Sequence, residues 1–387
     1  MTNEIAYWIA LSQLPRWENV HKNNLVIKFH TDNKISISEF FNLQKQEWKD
    51  KYLLKSTEIE SLLMAREEVA GLSFLVEDML NQGYEFIPII SPDYSRTLKL
   101  NLKIAYSPTL LFIKGNKQLM QEKTVAIVGS REASGIALDF TDKIARKSSR
   151  EYKVVVSGFA KGVDRQALDS AIACKGQSII VLPQGILTFG SGFNEYYRQI
   201  TNGDVLVLST FYPKTPWKKE LAMARNSTIY GLADEIFVAE SSEKGGTWSG
   251  VRDGIQKGRT IYVRMPGSDE RNANKKLIAL GALPVDQEGN PVAEVPAYKE
   301  TNATDQQVNE NGEALFTGSP EEFIRSLLAV KAMSMADILQ KTNNTWPDAL
   351  IKQSIKGMRD VEILKRNGKN YYKLIASDNK QQELLFR

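Results

Sequence analysis

Apolar runs and amphipathic segments alternate along the central part of the chain, from about residue 124 to residue 282. The apolar runs are rich in β-branched residues and lack polar alternation, which is typical of strands that are covered on both faces. The segments between them carry apolar residues at helical spacing. Strands are predicted at 124–128, 153–156, 177–182, 204–208, 235–239 and 259–263. This alternation predicts an α/β fold with a doubly wound parallel sheet.

The first 118 residues have a helical pattern instead. Apolar residues recur at helical spacing from position 59 to position 80. Two short extended runs follow, at 84–90 and 109–113. We interpret residues 1–118 as a helical module plus an extended connector that leads into the central domain.

Beyond the central domain, residues 285–319 are rich in Pro, Asn, Glu and Gly, which predicts a linker or an irregular arm. Helical patterns then occur at 321–330, 334–340 and 347–358. Two short strands flank Asn367-Gly368, a pair that is favoured in tight hairpin turns. Three helices and a hairpin predict a winged helix over residues 320–376, and the polar stretch that follows predicts a flexible tail over 377–387.

Composition places the chain among ordinary globular proteins, with 42% hydrophobic and 25% charged residues and a formal net charge of +4. No run of about 18 apolar residues and no basic-then-apolar N-terminus is present, so neither a membrane span nor a signal peptide is expected, and we expect a cytoplasmic protein. The single cysteine excludes an intrachain disulfide. The two histidines, both near the N-terminus, leave the central domain without a zinc motif or a Ser-His-Asp triad. We expect no metal and no cofactor.

The small net charge of the whole chain hides a local excess of basic residues in the predicted winged helix. Positions 350 to 375 contain seven basic residues and two acidic ones. The basic residues of interest are Lys352, Lys356, Arg359, Lys365 and Arg366. They predict an accessory contact to nucleic acid or to a partner. A solvated charged face is an almost equally good interpretation.

Ligands of doubly wound sheets bind outside the carboxyl ends of the strands, so the loops at that edge are the places to look for chemistry. Gly129-Ser130-Arg131 follows the first central strand and precedes a helix. Free backbone N–H groups, a helix N-terminus and an arginine suit an anion. The dinucleotide fingerprint Gly-x-Gly-x-x-Gly is absent, and a tight turn with a surface arginine remains an alternative.

Three further segments have similar character. Residues 157–164 contain two glycines and a lysine, and Asp164 is expected to cap the next helix or to orient a neighbouring loop, capping being the favoured role. Arg225-Asn226 lies within a helical pattern, where a partly buried arginine needs an anionic partner. Gly245-Gly246-Thr247 is a third glycine-rich turn. Together these loops predict an electropositive rim that suits a phosphodiester chain better than one small phosphate.

These motifs, in this order, resemble the DprA/Smf family of DNA-processing proteins. The resemblance rests on Val128-Gly129-Ser130-Arg131, Ser157-Gly158-Phe159-Ala160-Lys161-Gly162-Val163-Asp164, Arg225-Asn226, Gly245-Gly246-Thr247 and Pro266-Gly267. It implies an extended Rossmann fold over residues 119–284, a sterile-alpha-motif-like (SAM-like) fold for the helical module, and the family's optional winged helix. The candidate contacts to DNA are Gly129, Ser130, Arg131, Ser157, Gly158, Lys161, Gly162, Arg225, Asn226, Gly246 and Thr247.

The same resemblance implies a function. It implies a protein that binds single-stranded DNA and hands it to a RecA-type recombinase in transformation or recombination. Because histidines are missing from the central domain and the hydrolase motif at Gly245-Gly246-Thr247 is incomplete, we expect that the protein is not an enzyme. The resemblance also implies a homodimer, for which the apolar segment 217–232 is a candidate surface, although that segment is equally well explained as core. The chain departs from the family pattern at Leu168, Gly190, Gly192 and Ser227, which affects the expected DNA contacts and partner recognition more than the fold.

Two other functions fit parts of the pattern. Gly245-Gly246-Thr247 partly matches the phosphate motif of nucleotide-phosphoribosyl hydrolases of the lysine-decarboxylase-like group. Such an enzyme needs a carboxylate near the glycosidic bond, and Glu240 and Asp164 are the candidates. The other alternative is a regulator that binds duplex DNA through the winged helix and senses a ligand with the Rossmann domain.

The C-terminus carries one more motif. Gln382, Leu385 and Phe386 resemble the short peptide by which many replication and repair proteins bind the bacterial sliding clamp. Docking of this apolar end onto its own domain is the favoured alternative.

Overall fold

The computed structural model describes residues 2–292 and, farther along the chain, residues 324–325, 327–328, 333–342, 351–352, 354–355, 358, 361–366 and 369–374. The chain divides into two compact units, Met1–Tyr298 and Lys299–Arg387, and each is described by itself.

Five helices form the N-terminal part of the first unit. They are α1 (Thr2–Ser12), α2 (Asn19–Val26), α3 (Ile37–Asn42), α4 (Lys45–Asp50) and α5 (Ser56–Asn81), with a π-helical turn at Ile27–Asp32. The long α5 confirms the helix that the sequence predicts at 59–80. Phe29, Phe40 and Trp48 are fully buried among these helices, so the module has an aromatic core of its own.

Nine strands form one sheet in the first unit. They are β1 (Tyr84–Pro88), β2 (Leu110–Gly115), β3 (Thr124–Val128), β4 (Val154–Ser157), β5 (Ser178–Val181), β6 (Val205–Ser209), β7 (Glu235–Val238), β8 (Ile261–Arg264) and β9 (Leu283–Val285). Their order is β1-β2-β6-β5-β4-β3-β7-β8-β9, and the seven strands from β3 onward are parallel. The predicted doubly wound parallel sheet is therefore confirmed.

The sheet has more strands at both of its edges than the sequence predicts. The two runs interpreted as a connector form β1 and β2, and β2 pairs antiparallel with β6, where Phe112 lies opposite Ser209. At the other edge β9 pairs with β8. The open edges of a parallel sheet offer unpaired N–H and C=O groups, and any short extended segment can satisfy them. The domain boundaries at 118 and 284 stay predictions.

Helices cover both faces of the sheet. They are α6 (Arg96–Leu102), α7 (Gly135–Arg150), α8 (Val163–Ala173), α9 (Gly190–Glu195), α10 (Tyr197–Asn202), α11 (Lys219–Leu232), α12 (Gly246–Gln256) and α13 (Asn274–Ala279). Successive side chains of β3 point to opposite faces: Ile127 packs in a cluster with Phe140 of α7, and Val128 in a cluster with Ile229 of α11. Ile229, Tyr230 and Leu232 of α11 are thus buried within this chain, as the core interpretation expects, whereas Trp217 and Met223 of the same segment are about half exposed. A homodimer stays a prediction.

The second unit contains α14 (Met335–Thr342) and a three-stranded sheet of β10 (Met333–Ser334), β11 (Val361–Arg366) and β12 (Lys369–Leu374). Arg366 lies opposite Lys369 where β11 pairs antiparallel with β12, and the predicted turn at Asn367-Gly368 lies outside the described residues. Ser334 and Asp337 form reciprocal hydrogen bonds that cap α14. These are elements of a winged helix, and they agree with the prediction.

Several predicted features fall outside the described residues. Of the basic residues of this unit, Lys352 is exposed and Lys365 and Arg366 lie on β11, whereas Lys356 and Arg359 are outside the description. The C-terminal motif of Gln382, Leu385 and Phe386 and most of the predicted linker also lie outside it. In the described part of the chain, no helix combines the length and the apolar character that crossing a bilayer requires.

Candidate functional site

The strand order reverses between β3 and β7, because the chain continues from β3 to one side of the sheet and β7 lies on the other. The loops that leave these two strands diverge and open a crevice, the usual ligand position in such folds. A cavity of about 330 Å³ occupies it, and we call this cavity the switch-point cleft. Its walls include Gly129, Ser130, Arg131, Asn226, Gly246 and Thr247, so sequence segments far apart in the chain meet here.

A second cavity of about 330 Å³ adjoins the first, and we call it the side cavity. It lies over the loops that follow β4 and β5, and its walls include Lys161 and Gln184. Arg131 and Arg225 line both cavities. The loops that the sequence assigned to the rim therefore do surround one continuous depression at the carboxyl edge.

Hydrogen bonds tie the loop after β3 to the loop after β7. The Ser130 amide donates to the Glu240 carbonyl at 2.9 Å, and the Thr247 hydroxyl donates to the Gly129 carbonyl at 3.1 Å. The Glu240 carboxylate accepts from the hydroxyl of Ser134, at 2.5 Å, and Ser134 in turn caps α7. These hydrogen bonds fix the loops after β3 and β7 against each other and so fix the walls of the switch-point cleft.

Gly162 lets the loop after β4 pack closely against the loop after β3. Its φ of +84° lies in the region that favours glycine, and a Cβ there would lie 2.4 Å from the Ser130 carbonyl oxygen and 2.6 Å from that of Arg131. The adjacent Val163 amide donates to the Ser130 carbonyl at 3.2 Å. Gly162 therefore serves close packing between two loops, and this places Arg131 over the cleft.

Arg225 is the buried cation of the site, with 4% of the residue exposed. Its Nη1 donates to the Val181 carbonyl at 2.8 Å, and its Nη2 lies 3.6 Å from Oδ2 of Asp164. This confirms that the arginine needs an anionic partner, and the partner is Asp164. The Nε atom of Arg225 is buried and has no hydrogen-bond partner among the described residues.

Asp164 orients the loop instead of capping the helix. The N-cap of α8 is Gly162, so the expectation that Asp164 caps this helix is wrong, and the second role considered for it holds. Burial raises the pKa of the Asp164 carboxyl, while Arg225 and the backbone amides of Ala160 and Gly158 oppose this shift. Burial likewise lowers the pKa of Arg225, against the attraction of Asp164. The two charges stabilise each other beneath the cleft.

Ser157 and Gly158, both predicted to contact DNA, are buried beneath the surface next to this ion pair. Ser157 is fully buried, and its hydroxyl donates to the Ile127 carbonyl at 3.0 Å. A Cβ on Gly158 would lie 1.7 Å from Nη1 of Arg225 and 2.3 Å from Oδ2 of Asp164. The structure therefore places Ser157 and Gly158 where they support the ion pair and the strand end, not on the walls of either cavity.

Exposed cations surround the two cavities. They are Arg131, Lys161, Lys219 and Lys244. None of them forms an ion pair with another described residue, and among the described residues lining the cavities Glu132 is the only exposed carboxylate. Lys219 was not predicted from the sequence, although it lies two helical turns before Asn226 and so on the same face of α11.

Aromatic rings line the side cavity. Trp217 is 52% exposed, and Phe159 and Phe189 lie beside it in the wall. Phe159 has a φ of +109°, and its ring is held edge-on by Phe189 at 4.8 Å between centroids, with the guanidinium of Arg165 4.8 Å from its centre. Because these rings come from three separate loops, no spacing in the sequence indicated that they would meet.

The structure shows the surroundings of three residues that depart from the family pattern, Gly192, Leu168 and Ser227. A Cβ on Gly192 would lie 2.0 Å from the ring of Phe189, so that ring occupies the space a side chain would need. Leu168 is fully buried on α8, and Ser227 is exposed beside Asn226. No group of three or more His, Cys, Asp or Glu side chains suited to a metal occurs within the described residues.

The fold and the cleft define a Rossmann-type protein with a cationic, partly aromatic depression at the switch point of its sheet. The chain belongs to the family of DNA recombination-mediator protein A, whose family model matches residues 85–296. This membership confirms the resemblance to the DprA/Smf proteins.

Individual relatives show how far the similarity extends. The chain is 34% identical over 162 residues to DNA processing protein DprA of Streptococcus pneumoniae, a match that covers 42% of this chain and 57% of that protein. It is 29% identical over 188 residues to DNA processing protein DprA of Bacillus subtilis, covering 48% and 62%. These matches thus span less than two thirds of either relative.

A solved structure supports the fold. The X-ray structure of DNA processing protein A from Streptococcus pneumoniae has 26% sequence identity and a TM-score of 0.58, and the match covers 74% of this chain and 95% of that one.

Proposed function

We propose that this chain binds single-stranded DNA along the carboxyl edge of its sheet and performs no chemistry on it. The observation that carries the proposal is the set of four exposed cations without ion-pair partners, grouped around two adjoining cavities. Such cations bind phosphates strongly because their positive charge is not neutralised by the protein itself. The candidate contacts are Gly129, Arg131, Lys161, Asn226, Gly246 and Thr247, with Lys219 and Lys244 added.

Single strands are favoured over duplex by the shape and chemistry of the side cavity. Unpaired bases can stack on aromatic side chains, and such stacking tolerates any sequence. Trp217 and Phe159 offer ring surface next to Lys161 and Arg131, so base and phosphate can be held together. In a duplex the base faces are already stacked on one another and are not available to these rings.

A titration of fluorescent oligonucleotides tests the proposal. We expect the full chain to bind a single strand more tightly than the matching duplex, with log K falling against log salt at a slope of about −3 if four phosphates are neutralised. Equal or tighter binding of the duplex would favour the ligand-sensing regulator instead. A slope near zero would contradict a phosphate rim altogether.

Both carboxylates that could act in a hydrolase already have partners within the protein, which supports the proposal that the protein is not an enzyme. The Glu240 carboxylate accepts a hydrogen bond from the Ser134 hydroxyl, and the buried Asp164 carboxylate forms an ion pair with Arg225. We expect no release of free base from nucleoside 5′-monophosphates, measured by chromatography over hours. Release that Glu240→Gln abolished would support the nucleotide-phosphoribosyl hydrolase and end this part of the proposal.

The cellular role follows from the family. The relatives are named DNA processing proteins, and the family is named for recombination mediation. We infer that the bound strand is passed to a RecA-type recombinase during transformation or recombination in the cytoplasm, and that the protein acts as a homodimer. The winged helix would add a nucleic-acid or partner contact, and the tail with Gln382, Leu385 and Phe386 a contact to a sliding clamp.

A further inference from the structure

A further cavity at the carboxyl edge of the sheet lies outside the switch-point cleft and the side cavity. Its volume is about 300 Å³. Lys22 of α2 lines one wall, Thr210 and Phe211 after β6 line a second, and Ser227 of α11 lines a third. We call it the junction cavity, since it lies between the helical module and the sheet.

Lys22 supplies the charge of the junction cavity. Only 7% of this residue is exposed, and its Nζ donates one hydrogen bond, to the Ser12 carbonyl at 2.8 Å. An ammonium group has three donors, and no Asp or Glu is among the described residues that line the cavity. Burial lowers the pKa of Lys22 to about 8, because the charged form is poorly solvated there. An anion in the cavity would offset that cost.

Asn23, the neighbour of Lys22 in the sequence, fixes the segment 104–107, which contributes Tyr106 to the lining of the junction cavity. Asn23 is fully buried, and its Nδ2 donates to three backbone carbonyls of the segment 104–107 at 2.7 to 3.2 Å. Its Oδ1 accepts from the Thr109 hydroxyl at 2.8 Å. These contacts hold the segment that carries Tyr106 and so fix this wall of the junction cavity.

The chemistry of the walls suits a phosphate attached to a nucleoside. The ammonium of Lys22 can pair with phosphate oxygens, and the hydroxyl of Thr210 lies in the wall as a further donor. The rings of Tyr106 and Phe211 offer faces for a base. The volume lies at the lower end of the range found for small-ligand sites, which suits a single nucleotide.

We propose that the junction cavity binds a nucleoside phosphate, with Lys22 holding the phosphate. Two sources share this chemistry: a free mononucleotide, or one nucleotide of a DNA strand that continues from the switch-point cleft. α11 forms a wall of both cavities, with Arg225 and Asn226 on the cleft and Ala224 on the junction cavity. The second source rests on the proposed function, whereas the first does not.

Binding of thymidine 5′-monophosphate to the full chain, measured by calorimetry, tests the proposal. Lys22→Met keeps the length of the side chain and removes its charge, and Lys49→Met, at an exposed position on α4, is the matched control. We expect Lys22→Met to weaken binding about tenfold or more and Lys49→Met to leave it unchanged. Because Met tolerates burial, the melting temperature of Lys22→Met should not fall, which separates loss of the ligand from loss of the fold.

Three results would overturn the proposal. The unaltered chain could fail to bind the mononucleotide at millimolar concentration. Lys22→Met could bind as well as the unaltered chain, which would leave Lys22 as a cap on the last carbonyl of α1. Binding could instead be lost in Arg131→Glu and kept in Lys22→Met, which would place the nucleotide in the switch-point cleft.

A fluorescent oligothymidylate separates the two sources. If the cavity takes part of a bound strand, Lys22→Met lowers the affinity for the oligonucleotide and makes its salt slope shallower by about 0.7. If the cavity takes free nucleotide, oligonucleotide binding stays unchanged while mononucleotide binding is lost. Failure of the proposed function has a different signature, because the unaltered chain would then not bind the oligonucleotide at all.

Discussion

Replacing Asp164 by alanine is expected to destabilise the first unit by about 3–5 kcal/mol, the usual cost of removing one partner from a buried ion pair. Arg225 would then be a buried cation that donates to the Val181 carbonyl, with no carboxylate to balance its charge. The backbone amides of Ala160 and Gly158 would also lose their acceptor. Urea unfolding, followed by circular dichroism, measures the change.

The double variant Asp164→Ala with Arg225→Met is the control for this interpretation. Methionine fills much of the volume of the arginine stem and carries no charge. We expect the double variant to be more stable than Asp164→Ala alone, since the uncompensated cation is gone. A loss below about 1 kcal/mol for Asp164→Ala, or a double variant as unstable as the two single changes added together, would show that the pair does not act as a unit.

Replacing Arg131 by glutamate is expected to weaken single-strand binding about 10- to 150-fold. A hydrogen bond to a charged group contributes about 1.5–3 kcal/mol, and each 1.4 kcal/mol corresponds to about tenfold in affinity. Arg131 is exposed, lines both cavities and forms no ion pair with another described residue, so its guanidinium is accessible to phosphate. The loss should be the same for oligonucleotides of different sequence, because phosphate contacts do not distinguish bases.

Arg150→Glu is the matched control for Arg131→Glu. Arg150 is exposed at the end of α7, which leads to the amino end of β4, and so lies at the opposite edge of the sheet. The change in net charge is identical in the two variants. Fluorescence anisotropy at several salt concentrations should show a large loss and a shallower slope only for Arg131→Glu. Equal losses in both variants would mean that the overall charge, rather than the rim, controls binding.

The parallel sheet and the loops around the cleft could be predicted from the amino-acid pattern. The strands β3 to β8 were predictable because both faces are covered, and burial on both faces demands continuous apolar residues. The glycine-rich loops were recognisable because positions such as Gly162 admit no side chain. Arg225 was expected to have an anionic partner because an unpaired buried charge is costly, which is a rule that needs no coordinates.

Tertiary structure alone decided which distant groups meet. The choice of Asp164 as the partner of Arg225, and its role under the loop rather than at the helix cap, depends on α8 and α11 approaching each other from opposite sides of a strand end. β1 and β2 joined the sheet because β6 had an open edge, which no local pattern records. The rings around Trp217 and the cavity around Lys22 are formed by segments from separate parts of the chain. Local periodicity reports which face of an element is buried, and only packing determines what that face contacts.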